Sequence, residues 1–326
     1  MNDQNRRGAA VADYASPLFL AWQLTNRCTS RCLHCCEESG PDKMWKDELS
    51  REQALDLARQ IVAAGIPYVA FGGGEPLVVP HVWEVFEILT QGGVELKIET
   101  NGLFIGEKEA DHLKRLKAAC VQISIDGATA KVHEAVRPES AWQGAWDAID
   151  RLVKRGLEPE LVFIPTRLNV QDAGAVYDMA AARGVRTFVT GPMMRLGRAA
   201  YAWETLAASD EQWAQASAAL KAREKSSGGK PRLALYPWGI QHEMLTRAQS
   251  PQAMTLVVPN GRVKLLNALP FAVADLKKER LLDAWPKVGA AWASDTVQDF
   301  VKRAQTDAKL LTHANECWDV PAPVAA

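Results

Sequence analysis

The feature that most constrains this chain is a group of cysteines that follows its first apolar run. Cys28, Cys32 and Cys35 are spaced C-x3-C-x2-C, and Cys36 follows at once. Three thiolates on one short loop are suited to hold three irons of a cubane iron–sulfur cluster, and the fourth iron then stays open to another ligand. The spacing therefore predicts a [4Fe-4S] site with one open coordination position, where chemistry can take place.

Zinc, or a chance grouping, is the alternative explanation for these cysteines. A zinc site would need a second C-x2-C pair or nearby histidines as further ligands. Cys120 and Cys317 are isolated in the sequence, and His34 lies between two ligand positions, where it would point away from them. Cys36 permits a second register, C-x3-C-x3-C. We favour Cys35 as the third ligand because an adjacent cysteine faces the other way, which makes Cys36 a wall or packing thiol.

The composition is that of an ordinary globular protein, large enough for one large domain and a smaller one. The 326 residues are 48% hydrophobic and 24% charged, with a formal net charge of -1. That charge gives no reason to expect nucleic acid or a membrane surface as a partner. The polar N-terminus lacks an apolar stretch of signal-peptide type, and the apolar run 17–24 is too short to cross a bilayer. With cysteines crowded into one loop, these features predict a cytoplasmic protein.

Strand patterns alternate with helical patterns through the first two thirds of the chain. Strands that alternate with covering helices form a parallel sheet with right-handed crossovers. The fold class is therefore α/β, with a partial (β/α)6 TIM-like barrel whose ligand residues belong at the carboxyl ends of the strands. We predict strands over 18–24, 68–71, 95–100, 121–125, 160–164 and 185–190, and helices over 50–64, 82–90, 107–118, 142–155 and 173–183.

The pattern changes in the last third, which predicts a smaller α+β domain. A helix is expected over 209–223, with Ser209 as its N-cap, and a glycine- and serine-rich joint follows it. Two strand patterns flank an Asn-Gly turn at 259–261 and predict a β-hairpin. Helices are expected from there to about residue 311. The predicted domains are an N-terminal extension at 1–16, the barrel at 17–200 and the α+β domain at 201–326.

Polar turns end the predicted barrel strands. Each of them alone is an ordinary turn, but their order after the cysteine loop resembles the radical S-adenosylmethionine (SAM) superfamily. Within it they resemble the SPASM/twitch subgroup, which includes maturases of peptide-derived cofactors and of sulfatases. The turns are Gly72-Gly73-Gly74-Glu75-Pro76, Glu99-Thr100-Asn101-Gly102 and Ser124-Ile125-Asp126-Gly127, followed by His133, Arg137, Asn169 and Arg198.

The resemblance implies two cofactors, one [4Fe-4S] cluster on Cys28, Cys32 and Cys35, and SAM chelated to its open iron. It implies that the glycine-rich turn holds the methionyl amine, and that Ser124 and Asp126 contact the carboxylate or ribose of SAM. Arg137 would be a further carboxylate partner through a charge-assisted pair. The residues implied for SAM binding are Gly73, Gly74, Glu75, Thr100, Asn101, Ser124, Asp126, Arg137, Asn169 and Arg198.

The last third departs from the subgroup, which normally carries cysteines for auxiliary clusters there. Leu266 stands where the hairpin of the subgroup ends in cysteine, and only Cys317 echoes the usual closing cysteines. One thiol cannot hold an all-cysteine cluster, so we expect a degenerate SPASM/twitch-like domain that covers the substrate. Candidate substrate-contacting residues there, some of them possible catalytic groups, are Tyr236, Trp238, His242 and Glu243.

Three functions are open at this point. The first is a radical SAM enzyme that cleaves SAM to a 5′-deoxyadenosyl radical and takes hydrogen from a peptide or peptide-derived cofactor or natural product. The second is a radical SAM enzyme for a tetrapyrrole or another small molecule, and the third is a non-catalytic iron–sulfur scaffold. An electron donor such as flavodoxin or ferredoxin is expected. Fewer than twenty residues precede the first strand, so a peptide substrate would require a separate recognition protein.

Overall fold

A single mixed sheet carries the fold in this computed structural model, which describes residues 11–138, 141–236 and 238–320. Residues 1–10 of the predicted N-terminal extension, Pro237 and residues 321–326 lie outside the described part. Within that part the sheet has eleven strands. They are β1 (Phe19–Thr25), β2 (Tyr68–Gly73), β3 (Glu95–Thr100), β4 (Cys120–Ser124), β5 (Glu160–Phe163), β6 (Thr187–Thr190), β7 (Arg232–Leu235), β8 (Met254–Val257), β9 (Arg262–Lys264), β10 (Phe271–Asp275) and β11 (Trp318–Asp319).

The strand order is β11-β10-β9-β8-β1-β2-β3-β4-β5-β6-β7. Strands β1 to β6 lie side by side in chain order and pair in parallel, which confirms the predicted partial barrel. The last third of the chain extends this sheet at both edges, because β7 pairs in parallel with β6 and β8 pairs in parallel with β1. Strand β9 is antiparallel to both β8 and β10, so the predicted hairpin is present and is bonded to the barrel sheet.

The helices follow the predicted pattern closely in the barrel. Ser50 and Ser209 each cap a helix through a capping box, as the sequence indicates. Three strands were not predicted, β7, β10 and β11, and the expectation of helices alone after the hairpin was wrong at β10. The helices are α1 (Arg51–Ala63), α2 (Val82–Gln91), α3 (Glu107–Leu116), α4 (Ala130–Val136), α5 (Trp142–Lys154), α6 (Ala173–Ala182), α7 (Gly197–Tyr201), α8 (Trp203–Leu206), α9 (Asp210–Ser226), α10 (Ile240–Gln249), α11 (Leu281–Trp292) and α12 (Asp295–Ala304).

The two faces of the barrel sheet carry different residues because side chains alternate along a strand. One face is apolar and packs against the helices: Trp22 of β1 contacts Phe71 of β2, which contacts Phe86 of α2. The opposite face carries polar groups such as Gln23 and Glu99. No helix in the described ranges is long and apolar enough to cross a bilayer.

Candidate active site

The cysteine loop leaves the sheet at the carboxyl end of β1 and is anchored at several points. The Cys28 amide donates to the carbonyl of Gly40 at 3.0 Å, which closes the loop at its base. The Leu33 amide donates to the carbonyl of Val136 at 2.9 Å, which joins the loop to the end of α4. The loop therefore has a fixed path over the carboxyl ends of the strands, where sequence reasoning expected it.

Each of the three proposed ligand sulfurs accepts one hydrogen bond from an N–H group of the chain. Such donors stabilise a thiolate and orient it toward a metal. Cys36 is different, since its thiol donates to the carboxylate of Glu37 at 3.6 Å. This contrast supports the C-x3-C-x2-C register. The three bonds are Ser30 N to Cys28 Sγ at 3.4 Å, Ser39 N to Cys35 Sγ at 3.3 Å and Arg137 Nη1 to Cys32 Sγ at 3.7 Å.

The electrostatics of this loop fit a bound cluster. Burial raises the pKa of the Cys28 thiol to about 12, and burial also raises the pKa of Cys32. The thiolate form therefore needs a metal to supply positive charge. Within the described ranges, no three Cys, His, Asp or Glu side chains converge as ligands of a single ion, which argues against zinc. Three sulfurs that each bind a different iron suit a cubane cluster instead.

The glycine-rich turn after β2 lies directly against the start of this loop. The amide of Gly74 donates to the carbonyl of Thr25 at 2.7 Å. The amide of Glu75 donates to the carbonyl of Arg27 at 2.9 Å. A Cβ atom on Gly74 would lie 2.1 Å from that Arg27 oxygen, and Gly73 has a φ of +97°. Both positions therefore require glycine, and the turn and the loop form one rigid unit.

The side chain of Glu75 joins the glycine-rich turn to the turn after β3. Its carboxylate accepts from the hydroxyl of Thr100 at 2.8 Å and from the amide of Asn101 at 2.9 Å. The amide of Leu77 donates to the same group at 3.1 Å. Burial raises the pKa of Glu75 to about 7. Because its oxygens are engaged within the chain, the Glu75 carboxylate orders two turns, and only backbone groups of Gly73 and Gly74 are left to face a ligand.

Asn101 extends this connection to the cysteine loop. Its side-chain amide donates to the hydroxyl of Thr29 at 3.2 Å, and its side-chain oxygen accepts from the amide of Leu103 at 3.0 Å. The Thr100 hydroxyl is in turn an acceptor for the Gly102 amide at 3.0 Å. Both predicted residues therefore lie at the site, and both have structural partners there.

Asp126, at the carboxyl end of β4, is the centre of a buried charge network. One carboxylate oxygen accepts from Nε2 of His34 at 3.0 Å and from Nε of Arg137 at 2.5 Å. The other oxygen accepts from the amide of Ile164 at 2.7 Å. Burial alone would raise the pKa of Asp126, but Arg137 and His34 outweigh it and hold the pKa well below its ordinary value. Asp126 is thus an anion that ties the cysteine loop to β4 and α4.

Two residues implied for SAM binding, Asp126 and Asn169, are fully buried and bonded to the chain. Asp126 is fully buried and both of its oxygens are engaged. Asn169 is also fully buried, and its amide donates to the carbonyls of Asp126 and Ile164, both at 3.0 Å. Its oxygen accepts from the amide of Thr166 at 2.6 Å. Their hydrogen-bonding groups already bind the chain, and a direct contact of either residue with SAM stays a prediction.

Ser124 is the predicted residue that fits a direct ligand contact best on this side of the site. It is the last residue of β4 and is partly exposed. Arg137 ends α4 as its C-cap and is 9% exposed, so most of its guanidinium is occupied by the chain.

Sequence reasoning did not identify His34 as the partner of Asp126. The available signal was its position between two ligand cysteines.

Arg198, at the start of α7, holds the cysteine loop from the opposite side. Its amide donates to the carbonyl of Cys35 at 2.9 Å. Its guanidinium donates to the carbonyl of Cys32 at 2.8 Å and to the carbonyl of Ser39. The preceding Gly197 has a φ of +51°, and a Cβ atom there would lie 2.3 Å from the carbonyl oxygen of Cys36. Arg198 therefore shapes the loop backbone, and a contact of its guanidinium with SAM stays a prediction.

The predicted substrate candidates form a group at the free edge of the barrel sheet. Tyr236 directly follows β7 and is 60% exposed, and Trp238 is 49% exposed. The rings of Trp238 and His242 are 5.3 Å apart, and the Trp238 indole donates to Glu243 at 3.4 Å. Glu243 also pairs with Arg247 at 2.6 Å. Tyr236 lines a cavity of about 370 Å³ that is formed mainly by residues at the amino ends of β2 to β7, away from the cysteine loop. Trp238 precedes α10, which contains His242 and Glu243.

Lys264 is a buried cation that sequence reasoning missed. It lies in β9, is 2% exposed, and its ammonium donates to the carbonyl of Ala314. Burial lowers the pKa of Lys264, while Cys317 and Glu37 nearby oppose that shift. The neighbouring Asn315 donates to the carbonyl of Cys36 at 2.9 Å. The last segment of the described chain therefore lies between the hairpin and the cysteine loop.

Comparisons with known proteins agree with this geometry. A profile described as the Radical SAM superfamily matches residues 22–179. Mycofactocin maturase MftC of Mycobacterium ulcerans is 34% identical over 267 residues, which cover 80% of this chain and 70% of that protein. Fe-coproporphyrin III synthase of Methanosarcina barkeri is 29% identical over 164 residues, which cover 49% of this chain and 40% of that protein.

A solved structure with the same fold is Streptococcus suis SuiB. SuiB bound to S-adenosylmethionine superposes with a TM-score of 0.71 at 11% identity, over 93% of this chain and 76% of SuiB. SuiB bound to the precursor peptide SuiA superposes with a TM-score of 0.70 at 13% identity, over 86% of this chain and 67% of SuiB. At these identities the likeness establishes the fold alone.

The chain therefore belongs to the radical SAM superfamily. It is a radical SAM enzyme of the SPASM-like type, whose cofactors are a [4Fe-4S] cluster and SAM. The scaffold alternative does not hold for such an enzyme.

Proposed function

We propose that this enzyme modifies a peptide or a peptide-derived cofactor or natural product, and that it carries one cluster, on Cys28, Cys32 and Cys35. The observation that supports the ligand assignment best is that each of these three sulfurs accepts an N–H hydrogen bond. When bound, the cluster and SAM supply a 5′-deoxyadenosyl radical, which takes a hydrogen atom from the substrate.

The residues of the chain bind and orient the cofactors in this proposal. The backbone of Gly73 and Gly74 and the hydroxyl of Ser124 would contact SAM, because these groups lie at the carboxyl ends of β2 and β4. Glu75 and Asn101 keep the turns in place through the bonds described above. A site fixed in this way needs no rearrangement when SAM binds. Such rigidity suits a radical reaction, because water and quenching groups must be kept away from the radical.

The peptide class is supported by the similarity to a maturase over most of the chain. The sheet fold shared with SuiB, which has been solved with a precursor peptide, is compatible with it. We further propose that residues 201–326 cover the substrate. We also propose that the enzyme acts with a separate peptide-recognition protein and receives electrons from a donor such as flavodoxin or ferredoxin.

A tetrapyrrole substrate is the second candidate function. The specific observation in its favour is the similarity to Fe-coproporphyrin III synthase, although that match covers only 49% of this chain. The two candidates differ in a measurable product. A short peptide encoded beside the gene should change mass on anaerobic incubation with enzyme, SAM and dithionite, whereas a coproporphyrin should not. The opposite result would favour the tetrapyrrole function.

The cluster assignment is tested by anaerobic reconstitution with iron and sulfide. About four irons per chain are expected, the content of one cubane cluster, together with 5′-deoxyadenosine on reduction in the presence of SAM. Alanine at Cys28, Cys32 and Cys35 should abolish both. The matched control is Cys36→Ala, which should retain the iron because its thiol contacts Glu37 instead. Loss of the cluster in the control, or its retention in the triple variant, would overturn the assignment.

A further inference from the structure

Arg137 occupies a position that SAM binding does not explain. Its Nε donates to the carboxylate of Asp126 at 2.5 Å, and its Nη1 donates to the sulfur of Cys32 at 3.7 Å. The residue is 9% exposed. The guanidinium therefore bridges a buried carboxylate and one ligand sulfur, and both contacts are made by the same planar group.

The carboxylate that holds Arg137 is itself fixed. Asp126 accepts from Nε2 of His34 at 3.0 Å and from the amide of Ile164 at 2.7 Å. His34 belongs to the cysteine loop, between Cys32 and the next ligand. A displacement of Arg137 would break its contacts with Asp126 and with Cys32 at once, while His34 and Ile164 keep Asp126 in place. The distance between the guanidinium and the Cys32 sulfur is therefore set by the fold rather than by the side chain alone.

A fixed positive charge beside a ligand sulfur favours the oxidation state with more negative charge. When one electron enters a cluster from a reductant, the cluster and its thiolates become more negative by one unit. A buried guanidinium stabilises that state because little water screens it, and the paired Asp126 carboxylate offsets part of its charge. Hydrogen bonds to ligand sulfurs and the burial of the site also set the potentials of iron–sulfur clusters.

We propose that Arg137 is a positioning residue that holds the Cys32 thiolate and raises the reduction potential of the cluster, with Asp126 and His34 orienting its guanidinium. This inference rests on the proposed role of Cys32 as a ligand. It differs from the resemblance-based expectation that Arg137 binds the SAM carboxylate, and the two roles give different results in one experiment.

The experiment measures the potential of the reconstituted full chain without SAM. The cluster is titrated anaerobically with dithionite while the electron paramagnetic resonance signal of its reduced form is followed. For Arg137→Gln we expect reduction to be disfavoured at least tenfold, which is a potential lower by about 59 mV for one electron. Arg137→Lys keeps the charge but cannot contact both partners, so we expect a smaller lowering. The matched control is Arg155→Met, which removes an arginine paired with Glu107 and Asp111 far from the loop, and it should leave the potential unchanged.

Iron content and SAM affinity complete the test. An Arg137→Gln protein with wild-type iron and an unchanged or higher potential would overturn the inference. Weaker SAM binding at an unchanged potential would show that Arg137 is a carboxylate partner instead. If Arg137→Gln does not assemble the cluster, Arg137→Lys decides, and a potential equal to that of the wild type would contradict the proposal. Failure of the wild-type chain to bind any cluster would instead refute the proposed function.

Discussion

The cysteine loop follows β1, and the β8–β9 hairpin extends the same sheet on the edge of β1, but different side-chain interactions hold the two regions. The loop is fixed by polar contacts, in which Asp126 and Arg198 bind it from opposite sides. The hairpin is fixed by apolar burial, with Leu265 1% exposed and Leu266 8% exposed. Its one buried charge, Lys264, donates to a backbone carbonyl.

The difference shows where a metal can be bound in this chain. A bound cluster needs ligands, N–H donors to the ligand sulfurs and buried charged groups that are paired with one another. The loop has all three. The hairpin has leucines where the resemblance would require a thiol. We therefore expect changes in the loop to affect iron binding, and changes in the hairpin to affect stability. The following predictions test this division, beginning with the largest effect.

Gly74→Ala should abolish iron binding. The added Cβ would lie 2.1 Å from the carbonyl oxygen of Arg27, so the turn and the loop must separate. Iron per chain after anaerobic reconstitution is the measurement. Gly239→Ala is the control, because its Cβ would meet nothing within 4 Å, and it should bind as much iron as the wild type. Normal iron binding by Gly74→Ala would show that the loop does not depend on this contact.

Leu266→Ala should lower the free energy of unfolding by about 2–5 kcal/mol, the usual range for a core leucine. Its side chain is buried in the main hydrophobic core. Denaturant unfolding of the apo protein measures the effect, and reconstitution should show that the remaining folded protein still binds iron. Leu282→Ala, at a leucine that is 46% exposed, should change stability little. Loss of iron without loss of stability in Leu266→Ala would contradict the expectation that changes in the hairpin affect stability and not iron binding.

Arg198→Ala should weaken the loop without removing a ligand. The variant loses the guanidinium bonds to the carbonyls of Cys32 and Ser39, and bonds to a charged group contribute about 1.5–3 kcal/mol each. We expect iron to be lost several times faster to an anaerobic chelator, while the potential of the bound cluster changes less than in Arg137→Gln. An unchanged rate of iron loss would show that the loop is held without this side chain.

Acidification should destabilise the apo protein because two buried groups at the cysteine loop, Asp126 and His34, have shifted pKa values. The folded-state pKa of Asp126 is depressed, so its contribution is present above its unfolded pKa of about 3.9 and is lost as the pH falls through the folded value. Burial also lowers the pKa of His34, which removes stability as the pH falls below about 6.5. The difference between the unfolding free energies at pH 7 and pH 3 should be smaller in Asp126→Asn than in the wild type. An equally steep loss in that variant would assign the acid sensitivity elsewhere.

Cys317→Ser should leave the iron content unchanged, which is the smallest effect. Cys317 is near Lys264 in the last described segment, and the proposed single cluster does not use it. Iron and sulfide per chain should equal the wild-type values. A decrease that corresponds to a second cluster would contradict the single-cluster proposal.

Much of the barrel could be predicted from the sequence because its signals are local. Strands β1 to β6 are apolar on the helix-covered face, and α1 begins with the capping box that the sequence indicates at Ser50. Strand β10 was missed because Phe271–Asp275 is short and alanine-containing, and periodicity does not separate such a run from a helix. Strand β7 is four residues long and begins with arginine, so it gives a weak strand signal.

The motif residues of the site could be located from the sequence, but their partners could not. Sequence order places Asp126 at a strand end, where a carboxylate can face either a ligand or the protein. Its contacts with His34 and Arg137 depend on distances across three separate segments. Lys264 was missed for the same reason, because its burial depends on the segment around Ala314, fifty residues further along the chain.

The position of β1 in the sheet has a consequence for how the protein is made. β1 is synthesised long before β8, with which one of its edges pairs. Until Met254–Val257 has been synthesised, that edge exposes unpaired backbone groups that can bind other nascent strands. Long-range pairing of this kind is also slow to form. Insertion of iron should therefore follow the synthesis of β8, because the loop that begins at the end of β1 reaches its final shape only then.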